Sequence, residues 1–191
     1  MTRNKLLNTA ILICKFICAF YIFMFVLFTA LFIHFQISPN SYKGANFDFT
    51  TYSFKIDDSW KVNNVNGDKL EDKDVFILDK ISTVSTYILY LQFSAILVLI
   101  FLCTKEFQKI MESVKTLKTF QTNNVISFRK IGKYIFIIFL LTSYTSIQFE
   151  NGGKSQIQFS FTPLLFMLFA FIMAEIFKEG NKLKEENDLT I

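Results

Sequence analysis

FICAFYIFMFVLFTALFI, Phe16–Ile33, is eighteen consecutive residues without a charge. A bilayer core about 30 Å thick is crossed by about 20 predominantly apolar residues of helix, so this run, extended to Ile11–Phe35, is long enough to span it. Three further apolar blocks follow, at Ile81–Cys103, Ile131–Ile147 and Pro163–Phe177. Hydrophobic residues make up 52% of the 191, and 25 of them are Phe. A soluble domain can bury one such helix. Four leave too little polar sequence to cover them. The expected fold class is therefore an all-α membrane protein: a single domain, 1–191, of four transmembrane helices (spans about 11–35, 81–103, 131–147 and 163–177). The first block has a basic start in Arg3 and Lys5, as a signal peptide would. It is too long for a typical apolar core of one, and Ile33-His34-Phe35-Gln36 offers no small-x-small cleavage site. It reads as a retained signal-anchor helix.

Orientation follows the placement of Lys and Arg in the segments close to the spans. Arg3, Lys5 and Lys15 lie at the start of the chain. Lys105, Lys109, Lys115, Lys118, Arg129, Lys130 and Lys133 fall in 104–133, against only Glu106 and Glu112. Lys178, Lys182 and Lys184 follow the last block. These segments are expected in the cytoplasm, as a loop at 104–130 and a tail at 178–191, with both termini inside. Segment 36–80 carries Asp48, Asp57, Asp58, Asp68, Glu71, Asp72, Asp74 and Asp79, more acids than lysines, and 148–162 carries only Glu150 and Lys154. Both are expected outside. The formal net charge of +4 is thus explained by headgroups and topology, with no direct nucleic-acid binding. Cys14, Cys18 and Cys103 all lie toward the cytoplasmic ends of spans, so no exterior disulfide is expected.

The exterior segments carry strand signals. Phe47–Ile56 is aromatic and β-branched with partial alternation, and Asn66-Gly67 marks a turn. Ile147–Glu150 and Gln156–Phe161 flank Asn151-Gly152-Gly153, which predicts a hairpin. The two segments are expected to join in a small exterior β-sheet. Thr162-Pro163 supplies an N-cap and a first helical residue for the last span.

On the basic side, Phe107, Ile110, Met111, Val114, Leu117 and Phe120 or Gln121 recur at helical spacing among lysines. This predicts an amphipathic helix over 104–121. The favoured placement is on the inner leaflet; extension of the second span and docking of a partner are the alternatives. Thr122-Asn123-Asn124 then caps a helix that passes Arg129 and Lys130 before entering the third span. The hydroxyl-rich run Thr142–Ser146 is expected to face neighbouring helices.

Constellations that carry chemistry are sparse. Cys14 and Cys18 share a helix face but have no second pair or histidine nearby, and read as small apolar residues. His34, the sole histidine, cannot build a metal site alone. Glu175, inside the last apolar block, is costly there unless satisfied; it lies within a turn of Lys178, so it is expected to reach the headgroups or to pair with Lys15 or Lys133. Gln92 in the second span is expected to glue helices together. There is no Gly-rich nucleotide loop, zinc spacing, nucleophile elbow or carboxylate pair. The expectation is no enzyme, no cofactor and no metal.

Two stretches resemble a known family. The ending is an A-E-x-F-x-x-G-x-x-L-x-x-E-N-D-L-T-hydrophobic run, matched at Ala174, Glu175, Phe177, Gly180, Leu183, Glu186, Asn187, Asp188, Leu189 and Thr190. The other is Phe120-x-x-x-Asn124-x-x-x-Phe128-Arg129-x-Ile131-Gly132, with Phe128 where many relatives have Leu. Both are similar to the bacterial multi-pass membrane proteins catalogued as domain of unknown function 2975. The likeness covers the last 90 or so residues well and the first 100 only in layout. It implies an uncharacterised protein of the bacterial cytoplasmic membrane. Members are often encoded beside a small helix-turn-helix transcription regulator, which implies such a partner for this chain. From the residues themselves, Gly180 reads as a helix C-cap, and Glu185, Glu186 and Asp188 as an acidic tail able to dock on the basic segment or a basic partner. Partner-binding or helix-packing residues are therefore expected at Asn124, Arg129, Gly132, Glu175, Gly180, Glu186, Asn187 and Asp188. The functional expectation is a non-enzymatic membrane sensor or regulator. The alternative is a small transporter or channel subunit, assembled as a homo-oligomer, with Gln92, Glu175 and Ser143–Ser146 lining a wet path.

Overall fold

The computed structural model describes residues 2–42, 54–61, 81–117, 119–150 and 152–189. In chain order the elements are α1 (Thr2–Ile37), a short 3-10 turn (Pro39–Tyr42), β1 (Phe54–Lys61), α2 (Thr83–Lys115), α3 (Thr122–Ser143), β2 (Tyr144–Phe149), β3 (Gly152–Phe159) and α4 (Phe161–Asp188). Three helices are long and apolar enough to cross a membrane: Lys5–Ile37, Thr83–Lys115 and Phe161–Asn187. α3 differs because Arg129, Lys130 and Lys133 lie in its middle. After Lys133 it rises only about 15 Å before it ends, at 1.5 Å per residue. The third apolar block also ends as helix at Ser143, not at Ile147, because Tyr144–Phe149 is strand. Ile147 and Phe149 are both buried with the exposed Gln148 between them, the two-residue period of a strand.

The sheet forms as expected from the hairpin, with strand order β1-β3-β2, antiparallel throughout. β1 runs with Phe54 opposite Phe159 and Lys61 opposite Gly152. It lies further along the chain than the expected Phe47–Ile56; residues 47–53 and the Asn66-Gly67 turn are outside the described residues.

The chain divides into two compact units. One comprises Met1–Met24, Ile96–Phe139 and Phe161–Ile191; the other, Phe25–Ala95 and Leu140–Ser160.

In the second unit, the start of α2 is stitched to β2. Ser82 caps the helix, its Oγ accepting the Ser85 N–H at 3.2 Å. Ser85 is buried, and its Oγ accepts the backbone N–H of Gln148 at 2.9 Å, while the Ser82 N–H donates to the Gln148 carbonyl at 2.8 Å. Leu89, Ile147 and Phe149 pack together beside Ile81. One turn on from Leu89, Gln92 Nε2 donates to the carbonyls of Leu141 (2.5 Å) and Tyr144 (3.1 Å). The last carbonyls of a helix have no partner within it, and the Gln92 amide supplies one where α3 gives way to strand. Gln92 is helix glue, as its type and position suggested. Phe32 stacks on Tyr90 at 4.1 Å between ring centroids, and Thr29 shares a hydrogen bond with the Tyr90 hydroxyl. His34 Nδ1 and the Tyr42 hydroxyl lie 3.0 Å apart, which ties the 3-10 turn to the end of α1.

Ser85→Ala should destabilise the protein by about 0.5–1.5 kcal/mol, because it removes the part-buried hydrogen bond that joins α2 to the Gln148 N–H. Thermal unfolding in detergent checks this. Exchange of the Gln148 amide should speed up at the same time.

Candidate functional site

The first unit is built around the reversal between α2 and α3. The expected amphipathic helix at 104–121 is not a separate element on the bilayer surface: α2 runs unbroken to Lys115. The middle of its apolar stripe, Ile110, Met111 and Val114, packs on protein, while Phe107 and Leu117 stay exposed. Ile110, buried to 1% exposure, packs with Val125 and Phe128 of α3 and Ala174 of α4, and Met111, Val114, Ile131, Met173 and Phe177 surround them. α2 ends with Leu117 in the left-handed region, φ 60°, its N–H donating to the Val114 carbonyl. Such a residue closes a helix and turns the chain back. The reversal carries Phe120 against α4 and starts α3 at Thr122.

Two aromatic rings then lie over two glycines. A Cβ at Gly180 would run into the Phe120 ring, and a Cβ at Gly132 would come within 2.9 Å of the Phe171 ring. Gly180 is therefore not a C-cap. α4 continues through it to Asp188, and the glycine is there because Phe120 fills the space a side chain would need. Phe177 packs against both Phe120 (5.6 Å between centroids) and Phe128 (4.9 Å). Ala170 and Ala174, four apart on α4, are buried. Small residues at that spacing let helices approach closely where burial alone gives little gain, as in lipid.

Polar groups fix the junction. Asn124, 3% exposed in the first turn of α3, donates from Nδ2 to Ser113 Oγ (2.8 Å) and the Thr119 carbonyl (2.6 Å), clamping both ends of the reversal. Glu106 of α2 is buried. Its carboxylate accepts from Ser127 Oγ and Lys109 Nζ, both at 2.7 Å, with Lys130 Nζ at 3.8 Å. On the other side, Glu175 accepts from Arg129 (2.7 Å) and Lys178 (2.9 Å), and not from the expected Lys15 or Lys133. These side chains are about half exposed, so the pairs are weak, and the Arg129 contact serves mainly to register α3 against α4.

Five of the expected residues thus meet in one place: Asn124, Arg129, Gly132, Glu175 and Gly180. Glu186, Asn187 and Asp188 end α4 away from that contact. Lys182 lies 3.9 Å from Glu186 and Asn181 donates to Glu185, both along the helix. Asn187 is exposed, and the Asp188 side chain is outside the described residues. Glu106 and Ser127 are the residues that pattern reading passed over. Glu106 had counted only as a charge, although it shares a helix stripe with Ile110 and Ser113, at spacings of four and three. Among the described residues, no group of three His, Cys, Asp or Glu has the arrangement to hold a metal ion.

Gly180→Ala tests this geometry by its sign. Helix propensity alone would stabilise α4 by up to about 1 kcal/mol, whereas overpacking against Phe120 costs about 1–3 kcal/mol. The variant should be less stable than wild type. The same substitution should become neutral or stabilising in a Phe120→Ala background. Melting in detergent across the four-protein cycle checks it.

Comparison with known proteins adds one relationship. No curated protein and no solved structure matches the chain significantly. The family model described as protein of unknown function, DUF2975, matches residues 71–191, which include α2, α3, α4 and every residue of the junction above. The chain belongs to the family of proteins of unknown function DUF2975.

Proposed function

We propose that the protein is a non-enzymatic membrane sensor or regulator that passes a signal to a cytoplasmic partner. The partner expected from the resemblance is a small helix-turn-helix transcription regulator. In this reading α3 is a fourth span, its lysines reaching out to the headgroups along their apolar stems. Both termini and the α2–α3 reversal then face the cytoplasm of a bacterial cell, and the acidic 36–80 segment and the hairpin face outward.

The observation that carries the reading is the end of α4. Past the junction, among charged residues, Leu183 and Leu189 are 66% and 88% exposed. Leu183 lies on the last turns of α4 and Leu189 one residue past its end, so the end of the helix offers a partner groove two apolar anchors. The helix before them is held by Phe120 on Gly180 and by Phe120 and Phe128 on its Phe177, which gives the Leu183 anchor a fixed orientation.

The alternative, a small transporter or channel subunit, draws less support. The polar groups that would line its path are engaged elsewhere: Gln92 on the carbonyls of Leu141 and Tyr144, and Glu175 on Arg129 and Lys178.

Capture from cross-linked native membranes decides the matter. The intact protein should retain a DNA-binding protein, and a full-length variant with Leu183→Asp and Leu189→Asp should retain far less. If neither form captures a DNA-binding protein, the regulator reading fails.

A further inference from the structure

A polar cleft of about 360 Å³ opens in the first unit between the end of α2 and the start of α3. Glu106, Lys109, Gln121, Asn123, Ser127 and Lys130 line it. Two features set it apart from an ordinary solvated surface. The first is that Lys109 and Lys130, from different helices, converge on one oxygen of the buried Glu106 carboxylate, at 2.7 and 3.8 Å. Two ammonium groups there face a single carboxylate, so the cleft keeps a net positive charge. The carboxylate holds both lysines in place while their side chains stay 60% and 47% exposed. The second is that the cleft lies at the first turn of α3, where Gln121 and Asn123 bring amide side chains beside the helix start; the Asn124 and Val125 N–H groups donate to the Gln121 carbonyl, and the two N–H groups before them have no carbonyl within the helix to meet. Fixed ammonium groups, amide side chains and a helix N-terminus together suit a tetrahedral oxyanion.

The geometry points to a phosphate-binding site in this cleft, for either a phospholipid headgroup or a free phosphate compound. Lys109 and Lys130 supply the charge, Asn123 and Gln121 the neutral donors. Ser127 holds the Glu106 carboxylate by one oxygen, and the other oxygen positions Lys109 and Lys130; both act as positioning residues at the cleft wall. The apolar Ile126 at the cleft edge, 45% exposed, offers a surface for the first carbons of an acyl chain. This goes beyond the regulatory reading and stands without any DNA-binding partner.

The test uses the full chain purified in detergent. Native mass spectrometry reads retention of added phosphatidylglycerol, and thermal stability against inorganic phosphate reads the free anion. Lys109→Gln/Lys130→Gln should weaken binding at least about tenfold, while Lys115→Gln/Lys133→Gln, the same change in charge outside the cleft, should alter it by no more than about twofold. The double cleft variant leaves Glu106 with fewer partners, so a triple variant adding Glu106→Gln keeps the buried site neutral; it should lose binding to the same degree. Retention of lipid without a phosphate response assigns a headgroup, and the reverse assigns a soluble phosphate. The inference is overturned if the wild type responds to neither probe, if the cleft and control variants weaken alike, or if the triple variant binds as the wild type does.

Discussion

The Phe120 ring occupies the space that a side chain at position 180 would fill, and the cytoplasmic-side architecture proposed above depends on that one exclusion. It fixes α4 against the α2–α3 reversal at a single register. The remaining contacts follow from it. Phe177 is brought against Phe120 and Phe128, Ala174 is buried to 0% exposure, and Glu175 arrives at Arg129. A second ring-on-glycine contact, Phe171 on Gly132, repeats the device two turns earlier on α4 and removes the freedom to slide. Shape carries this junction more than charge does, since the exposed ion pairs there are individually weak.

Two separated stretches by which the chain resembles its family meet through that contact. Phe120, Asn124, Phe128, Arg129 and Gly132 come from the reversal and the start of α3; Ala174, Glu175, Phe177 and Gly180 come from α4. In the fold they are two sides of one contact. The acidic residue that organises the neighbouring cleft, Glu106, belongs to neither stretch. It works through a hydroxyl twenty-one positions away, at Ser127.

Much of the fold was legible from the chain itself. Long uncharged runs gave α1, α2 and α4, and the Asn-Gly turn between alternating segments gave the β2–β3 hairpin. The errors have physical reasons. Hydroxyl and β-branched residues at Thr142–Ser146 suit a helix interface or a strand, and pairing with β3 settled Tyr144–Phe149 as strand. A glycine after an apolar helix usually ends it; at position 180 a distant aromatic ring was the cause, and no local pattern records that. The stripe on 104–117 was correctly seen as apolar, but periodicity does not say whether lipid or protein covers it. The candidate site was half legible for the same reason. Its residues were named from likeness, while Glu106, Ser127 and the convergence of Lys109 with Lys130 required the tertiary contact.

The central claim is that the α2–α3 reversal and the end of α4 are one cooperative unit held by Phe120. Hydrogen exchange on full-length Phe120→Ala in detergent tests it most directly. The account predicts faster exchange through the second half of α4, from about Phe177 onward, together with the first turn of α3, and unchanged protection in β2 and β3. Faster exchange confined to the residues next to position 120, with α4 as protected as in the wild type, would contradict it.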